Sequence, residues 1–393
     1  MQPGLLRFIV CPGCEGELRL HPFRAPAPGR EEVEQGLLLC TSCGLPYPIV
    51  DGIPRLVPNA FESHAGFTRE FSRELSGLSF RKPARKVVRG FERLHGLTAR
   101  AFGYEWNTYA TTSREEDILT FFFLTGVDPS LYDTFPTRDV FTCYPSPEEV
   151  SGIDASGLRG KTVLEVGCGM GKYVKVVSEH ARETIGMDLS EALVRARREI
   201  GERTKVHLLQ GNILAPPLRR ESIDFAYSVG VLHHTPDCHQ AFLRSASLVK
   251  SGGALAVWLY PSDPTPGAYA RRVHWIQDDV IRPVTCRLPP AVLRWLSAGL
   301  GRLTFVRDRY AERYRATGSR FAYRVAMAAG ALAVGRHKDP EIAAFLNFDW
   351  YSPQYRSYHT EEQLRGWYRE AGFEETRILP QRVSGIAVKA TRE

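Results

Sequence analysis

Long hydrophobic runs are absent from this sequence. No stretch reaches the roughly 18 apolar residues that a membrane-spanning helix needs, and the longest candidate, residues 325–335, is short and rich in alanine. The first residues, MQPGLLRFIVC, lack the charged region, apolar core and small-residue cleavage site of a secretory signal. We therefore expect a cytoplasmic protein that has no transmembrane segment.

Cysteine is scarce beyond the N-terminal segment. Four of the eight cysteines form two Cys-x-x-Cys pairs within residues 1–58, and the other four follow no pairing pattern. Each pair interrupts apolar stretches typical of β-hairpins, and two such knuckles bring four thiolates to one tetrahedral point that suits structural Zn²⁺. Iron at the same ligands and a site without metal stay open, whereas a cytosolic chain disfavours disulfides. The predicted ligands are Cys11, Cys14, Cys40 and Cys43.

Acidic residues are few in one part of the chain. The formal net charge is +7, and residues 261–346 hold 14 Arg or Lys against 7 Asp or Glu, an excess equal to that charge. Basic patches attract nucleic acid, acidic membranes or anionic substrates, and solvated helix faces are the plain alternative. Helices predicted around residues 268–281, 290–303 and 319–334 make this stretch a helical lid insertion.

The most informative stretch is residues 163–171, which read VLEVGCGMG. A buried parallel strand that ends in a glycine loop has this form, because glycine accepts φ > 0 and lets a ligand approach the backbone. Strand and helix patterns then alternate to residue 260 and resume at residue 360. The predicted fold is α/β, with a Rossmann-like, doubly wound, seven-stranded sheet that has an antiparallel closing strand.

Composition and pattern divide the chain into five predicted segments. A β-rich zinc ribbon covers residues 1–58, and a helical linker and cap covers residues 59–150. The core occupies residues 151–260 and 347–393, and the lid, residues 261–346, lies between its two parts. The GxGxG spacing differs from the GxGxxG loop of nicotinamide dehydrogenases, which remain a weaker alternative.

Five motifs in order resemble those of class I S-adenosylmethionine-dependent methyltransferases. They are VLEVGCGMG, then GMDLS from residue 186, GNI from 211, SVGVLHH from 228 and LVKSGG from 248. The resemblance implies that Asp188 accepts the ribose hydroxyls, and that Asn212, where many members have Asp, pairs with the adenine edge. The implied cofactor-binding residues are Glu165, Gly167, Cys168, Gly169, Gly171, Asp188, Leu189, Gly211, Asn212, Ile213, Ser228, Val229 and His233.

The N-terminal segment carries a second resemblance. Its knuckles CPGC and CTSC and its tail YPIVDGIP are similar to those of the small zinc-binding proteins that activate tRNA and release-factor methyltransferases. The same module is fused to the front of many bacterial methyltransferases. The match covers most of residues 5–57.

Histidines and tyrosines are the candidates for acid–base chemistry. Methyl transfer is an in-line displacement, and an oxygen or nitrogen acceptor can need a base to take its proton. His233 and His234 follow the fourth strand, with packing beside the cofactor as their alternative role. Tyr351 and His359 belong to an aromatic loop that we expect to face the acceptor, with a packed hinge as the alternative.

The predicted function is S-adenosylmethionine-dependent methyl transfer to an O or N atom of a small or medium-sized acceptor. RNA or protein is the alternative acceptor, because the zinc ribbon and the basic lid suit a polymer. An NPPY-like tetrad, a signature of methylation on planar nitrogens, does not follow the fourth strand, where SVGVLHH stands. A catalytically silent, cofactor-binding scaffold is the third hypothesis.

Overall fold

The computed structural model describes residues 1–24, 31–109, 157–262, 268–333, 340–379 and 386–392. Two compact units make up the chain. The first comprises the described parts of Met1–Gly96, Ser113–Ser262 and Ser357–Glu393, and the second those of Leu97–Thr112 and Asp263–Arg356. The part of the predicted linker and cap that follows residue 109 lies outside the described residues.

The N-terminal ribbon is a four-stranded antiparallel sheet of the first unit. It begins after a 3₁₀ turn at Pro3–Arg7, and its strands, which pair in sequence order, are β1 (Leu18–Pro22), β2 (Gly36–Cys40), β3 (Pro46–Val50) and β4 (Ile53–Pro54). Leu38 of β2 and Tyr47 and Ile49 of β3 are buried in the same core as the larger sheet that follows. The β-rich ribbon predicted from the sequence is thereby confirmed.

The larger sheet of the first unit has seven strands in the order β10-β11-β9-β8-β5-β6-β7. Five parallel strands carry the predicted alternation, and β11 pairs antiparallel with both β9 and β10. This arrangement confirms the predicted sheet with its antiparallel closing strand. The strands are β5 (Thr162–Val166), β6 (Glu183–Asp188), β7 (Val206–Gln210), β8 (Ile223–Val229), β9 (Val249–Leu259), β10 (Phe373–Leu379) and β11 (Ile386–Arg392).

Helices cover the sheet and build most of the second unit. A π-helical turn, Ile276–Ile281, joins two of them, and a 3₁₀ turn, Leu232–His234, follows β8. The described α-helices are α1 (Ala60–Ser63), α2 (Ala65–Glu70), α3 (Ser72–Ser76), α4 (Arg85–Thr108), α5 (Lys172–His180), α6 (Ala192–Ile200), α7 (Cys238–Ser247), α8 (Ala268–Trp275), α9 (Arg282–Thr285), α10 (Pro290–Thr317), α11 (Arg320–Leu332), α12 (Pro340–Tyr351) and α13 (Glu361–Glu370).

Helices begin and end at capping residues where the sequence has strong start or stop signals. The hydroxyl of Thr360 accepts a hydrogen bond from the N–H of Gln363, and the Gln363 side chain accepts one from the Thr360 N–H, which forms a capping box before α13. Helix α10 extends well past residue 303, where the sequence predicted its end. Gly318, at φ 66°, ends it in the left-handed conformation.

The ribbon docks along the free edge of β7. The N–H of Leu56 donates to the carbonyl of Gln210 (2.9 Å), and Ile9 forms an isolated bridge with Leu218. Arg55 is 1% exposed, and its guanidinium lies 2.9 Å from a carboxylate oxygen of Glu191. An edge strand that would otherwise be open is thus covered by the same chain. Among the described residues, none of the helices has the length and apolar character that a membrane span requires.

We expect Arg55→Ala to lower the free energy of unfolding by about 2–3 kcal/mol, because it removes a buried side chain and breaks its ion pair with Glu191. The control is Arg7→Ala, which removes an exposed pair with Glu183 that also joins the ribbon to the larger sheet. Its cost should stay below about 1 kcal/mol. Urea unfolding of both variants measures the difference, and equal costs would contradict a buried anchor at Arg55.

Candidate active site and metal centre

The glycine loop after β5 is held against the end of β6 by backbone hydrogen bonds. The N–H groups of Gly167 and Cys168 both donate to the carbonyl of Met187, at 2.7 and 3.1 Å. Gly167 has φ 78°, and a Cβ added there would lie 2.3 Å from the side chain of Val231. The loop therefore requires glycine at this position both for its backbone conformation and for its packing.

Asp188 ends β6 beside the same loop. Its Oδ2 accepts a hydrogen bond from the N–H of Gly169 (2.8 Å), and its Oδ1 accepts from both the N–H and the hydroxyl of Ser190 (2.7 Å each). Burial raises the pKa of Asp188, although these hydrogen bonds oppose the shift. The carboxylate and the loop thus form one fixed edge at the carboxyl ends of the parallel strands, where open α/β sheets bind their ligands.

Glu165 lies inside the sheet rather than at its surface. It is 3% exposed, and its Oε2 accepts a hydrogen bond from the hydroxyl of Tyr227 (3.1 Å). Burial raises the pKa of Glu165 to about 8, while Tyr227, Lys172 and the backbone of Val174 in α5 favour the charged form. This position suits a group that supports the glycine loop and the start of α5 from within the sheet.

The turn after β7 holds the predicted adenine-side residues. The Asn212 Oδ1 accepts a hydrogen bond from the N–H of Leu214 (3.0 Å), and its Nδ2 lies 3.1 Å from Nε2 of His95. The amide is oriented by both contacts, with its NH₂ group toward the imidazole. Gly211 has little room for a side chain, since a Cβ there would lie 2.8 Å from the ring of Pro217.

His95 is a site residue that the sequence did not indicate. It belongs to α4, far from Asn212 in the chain, and is 6% exposed. Burial lowers the pKa of His95, which favours the neutral ring whose Nε2 accepts from the amide of Asn212. A lone histidine in an amphipathic helix gives no signal of this role, because only the tertiary fold brings α4 over the β7 turn.

The predicted catalytic histidines lie together at the end of β9. His233 is fully buried, and its ring stacks on Tyr260 with a centroid separation of 3.9 Å, while the His234 ring lies edge-on to His233 at 4.3 Å. The carbonyl of His233 accepts a hydrogen bond from the N–H of Ser357 (3.0 Å). The structure therefore places both imidazoles in one aromatic cluster.

His359 belongs to the same unit and is packed close by. Its N–H donates to the carbonyl of Tyr260 (3.0 Å), its Nε2 lies 2.8 Å from the hydroxyl of Ser357, and its ring meets that of Trp367 edge-on. Burial lowers the pKa of His359. These contacts are those of a side chain that fixes a loop against α13.

Tyr351 lies in the core of the second unit, at the end of α12. It is 1% exposed, and its hydroxyl donates to the carbonyl of Leu332 (2.7 Å). Burial raises the pKa of Tyr351. Because this phenol is buried and already donates to a backbone carbonyl, its position favours a packing role over proton transfer. A packed hinge was the alternative for this loop.

The other predicted cofactor residues line the same strand ends. The Ser228 hydroxyl donates to the carbonyl of Val166 (3.0 Å) and so joins β8 to β5. The carbonyl of Leu189 accepts from the side chain of Gln210 (2.9 Å). Cys168 and Ile213 are buried, and Val229 is partly buried. Gly171 packs closely on α6, since a Cβ there would lie 2.8 Å from Ile200.

The four ribbon cysteines converge on one point. Their Sγ atoms lie within 4.8 Å of one another, with 3.6 Å between Cys11 and Cys43 and 3.5 Å between Cys14 and Cys40. Four sulfurs about 2.3 Å from a tetrahedral ion are roughly 3.8 Å apart. The N–H of Cys43 also points to the sulfur of Cys40 at 3.4 Å, a contact that orients a metal ligand. The cluster therefore has the donor set and the spacing of a metal site.

Family models match the two parts of the first unit that carry these sites. Residues 164–257 match the methyltransferase domain, and residues 2–52 match the Trm112p-like protein family. The chain contains a methyltransferase domain and a Trm112p-like domain. The methyltransferase domain holds the glycine loop, Asp188, Asn212 and the histidine pair, and the Trm112p-like domain holds the cysteine cluster.

Relatives align mainly with the methyltransferase domain. The probable S-adenosylmethionine-dependent methyltransferase CRG1 of Saccharomyces cerevisiae is 32% identical over 106 residues, which are 25% of this chain and 36% of that protein. The ubiquinone biosynthesis O-methyltransferase of Coxiella burnetii is 30% identical over 102 residues, 25% of this chain and 43% of that protein. The chain thus spans less than half the length of these relatives.

The solved structures that match this chain include the magnesium protoporphyrin IX methyltransferase of Synechocystis PCC 6803. It is 13% identical, covers 79% of this chain and all of its own length (100%), and has a TM-score of 0.38.

We expect Glu165→Gln to change how stability depends on pH. The folded-state pKa near 8 exceeds the ordinary value of 4.5, so the native state holds this proton more tightly than the unfolded chain does. Its contribution to stability is full below about pH 4.5 and is lost as the pH rises through about 8, by an amount on the order of a few kcal/mol.

Urea unfolding at about pH 5 and about pH 9 tests this expectation. Relative to wild type, Glu165→Gln should gain stability as the pH rises, because it carries no charge to bury. The exposed Glu221→Gln is the control and should follow the wild-type profile. Parallel profiles for wild type and Glu165→Gln would contradict the shifted pKa.

Proposed function

We propose that this protein is an S-adenosylmethionine-dependent methyltransferase that acts by SN2 displacement on an O or N atom of a small or medium-sized acceptor. The observation that carries the proposal is the bond between Asp188 and the N–H of Gly169, within a domain that matches the methyltransferase family. It fixes a carboxylate beside a glycine loop at the switch point of the sheet. When bound, the cofactor supplies an electrophilic methyl group.

The residues of this edge suit the parts of the cofactor in turn. The loop from Gly167 to Gly171 lets the amino acid and ribose parts approach the backbone, and Asp188 has lone pairs left to accept the ribose hydroxyls. Asn212, held by His95 and the N–H of Leu214, would meet the adenine edge. Glu165 would hold the loop in shape from within the sheet.

The acceptor proton requires a base near the end of β8. His233 and His234 are the proposed candidates, because they follow that strand directly and an imidazole titrates near neutral pH. Stacking on Tyr260 would hold the His233 ring in place during the reaction. His359 and Tyr351 have hydrogen-bond partners that support a packing role, so the proposal rests on the pair at 233 and 234.

An enclosed small acceptor is the first choice for two reasons. SVGVLHH stands where an NPPY-like tetrad would follow β8, and the Coxiella relative is named as an O-methyltransferase of ubiquinone biosynthesis. The second candidate, RNA or protein, is favoured by the Trm112p-like domain. The N-terminal segment resembles activators of tRNA and release-factor methyltransferases, and the same polymers would suit a basic lid.

The test follows a deuterated methyl group from the cofactor into separate fractions of a cell extract. Label in the small-molecule fraction supports the proposal, label only in RNA or protein supports the second candidate, and binding without any transfer supports a silent scaffold. Asp188→Asn should weaken adenosylhomocysteine binding about 10- to 100-fold through the lost charged hydrogen bonds. Asp224→Asn is the control, since Asp224 pairs with Lys250 at the opposite end of β8. Equal binding by the two variants would contradict the cofactor site.

We further propose that the cysteine cluster binds structural zinc in the cytoplasm, where thiols stay reduced. The purified protein should contain about one zinc per chain, and Cys40→Ser should lower that content at least tenfold and lower the unfolding temperature. Cys286→Ser, at a buried cysteine of the second unit, should leave the content unchanged. Elemental analysis measures both, and iron in place of zinc would contradict the assignment.

A further inference from the structure

Helix α10 of the second unit carries an apolar stripe on its exposed side. Its buried side is formed by residues three and four positions apart, from Leu293 to Thr304. The exposed stripe follows the same spacing on another face, and its most exposed member, Trp295, is 75% exposed. Its exposed members on α10 are Val292, Trp295, Leu296 and Val306, and the half-buried Tyr310 lies on the same face of the helix.

The stripe continues onto α11. The ring of Tyr310 meets the ring of Phe321 edge-on with centroids 6.4 Å apart, so the two helices present one surface. Phe321 is 70% exposed and Leu332 is 40% exposed, while Ala322 and Ala326 face inward. Large apolar side chains this exposed, aligned along one face of two neighbouring helices, mark an interaction site rather than ordinary surface.

Arginines border the stripe, and acids lie away from it. Residues 290–332 contain eight Arg and two acids, Asp308 and Glu312. Arg302, Arg309 and Arg313 are exposed and lie along one edge of the stripe by helical spacing. Each acid precedes one of these arginines by one position, so it points about 100° further from the stripe.

We propose that the apolar stripe and its arginine edge form a docking surface for an anionic lipid membrane. Exposed Trp and Phe suit the boundary between headgroups and acyl chains, and arginine stems reach alongside while their charges meet lipid phosphates. The helices would lie in the plane of the surface, since none of the described helices could span a bilayer. The proposal does not depend on the proposed methyl transfer.

Two other occupants fit the observations less well. A second copy of the chain would bring the same arginine edge against itself, and like charges at an interface oppose association. A nucleic acid would satisfy the arginines, but aliphatic side chains such as Val292 and Leu296 have no role in base stacking. The combination of positive charge and aliphatic surface is complementary to anionic lipid.

Flotation of the full chain with vesicles tests the proposal. We expect binding to vesicles of phosphatidylcholine and phosphatidylglycerol in equal parts, and at least tenfold weaker binding to phosphatidylcholine alone. The double variant Trp295→Ser, Phe321→Ser should weaken binding to the mixed vesicles at least tenfold, because it removes apolar area that the lipid would bury. Replacement of Arg302, Arg309 and Arg313 by Gln should weaken it about fivefold for each charge, as should added salt.

Phe305→Ser is the matched control on the same helix. Phe305 is 46% exposed but precedes Val306 by one residue, so it points away from the stripe. It should bind vesicles within about twofold of wild type. Equal losses in this control and the double variant would overturn the proposal, as would no flotation with either vesicle. Two further results would overturn it. One is a wild-type dimer that the double variant abolishes, and the other is RNA binding, without vesicle binding, that the double variant abolishes.

Discussion

The hydrogen bond from the N–H of Gly169 to the carboxylate of Asp188 is the contact on which the candidate site depends. It closes the glycine loop onto the end of β6, and the N–H groups of Gly167 and Cys168 complete the attachment at Met187. Because β5 and β6 are neighbouring parallel strands, both groups emerge at one edge of the sheet. A charged acceptor makes this bond strong, and the positive φ of the glycines makes the turn accessible.

The Trm112p-like domain packs against the edge of β7. Edge strands expose unpaired backbone groups, and here the chain that follows β4 covers them. Arg55 carries a charge into this junction and meets Glu191, which precedes α6. The ribbon and the cofactor edge therefore share β6, β7 and α6 as common support.

The sequence predicted most of the first unit, because its signals are local. Apolar runs gave the strands, and the alternation of strand and helix patterns gave the parallel sheet. The return of that pattern at residue 360 gave the start of α13. The predicted length of α10 was too short. Its 28 residues hold no proline beyond the first turn, so the helix continues to Gly318. The pairing of His95 with Asn212 had no local signal at all, because it joins two elements that are distant in the chain.

The sequence by itself determined which residue types form the two candidate sites. Four cysteines in two knuckles and a glycine loop followed by Asp188 are patterns whose spacing carries their geometry. Only the tertiary structure decided which other groups contact these sites and which are buried elsewhere. It buried Tyr351 in the core of the second unit, stacked His233 on Tyr260 and brought His95 to Asn212. It also left Trp295 and Phe321 exposed on one surface. Burial and long-range contact depend on packing, and no periodicity in a sequence specifies which faces remain uncovered.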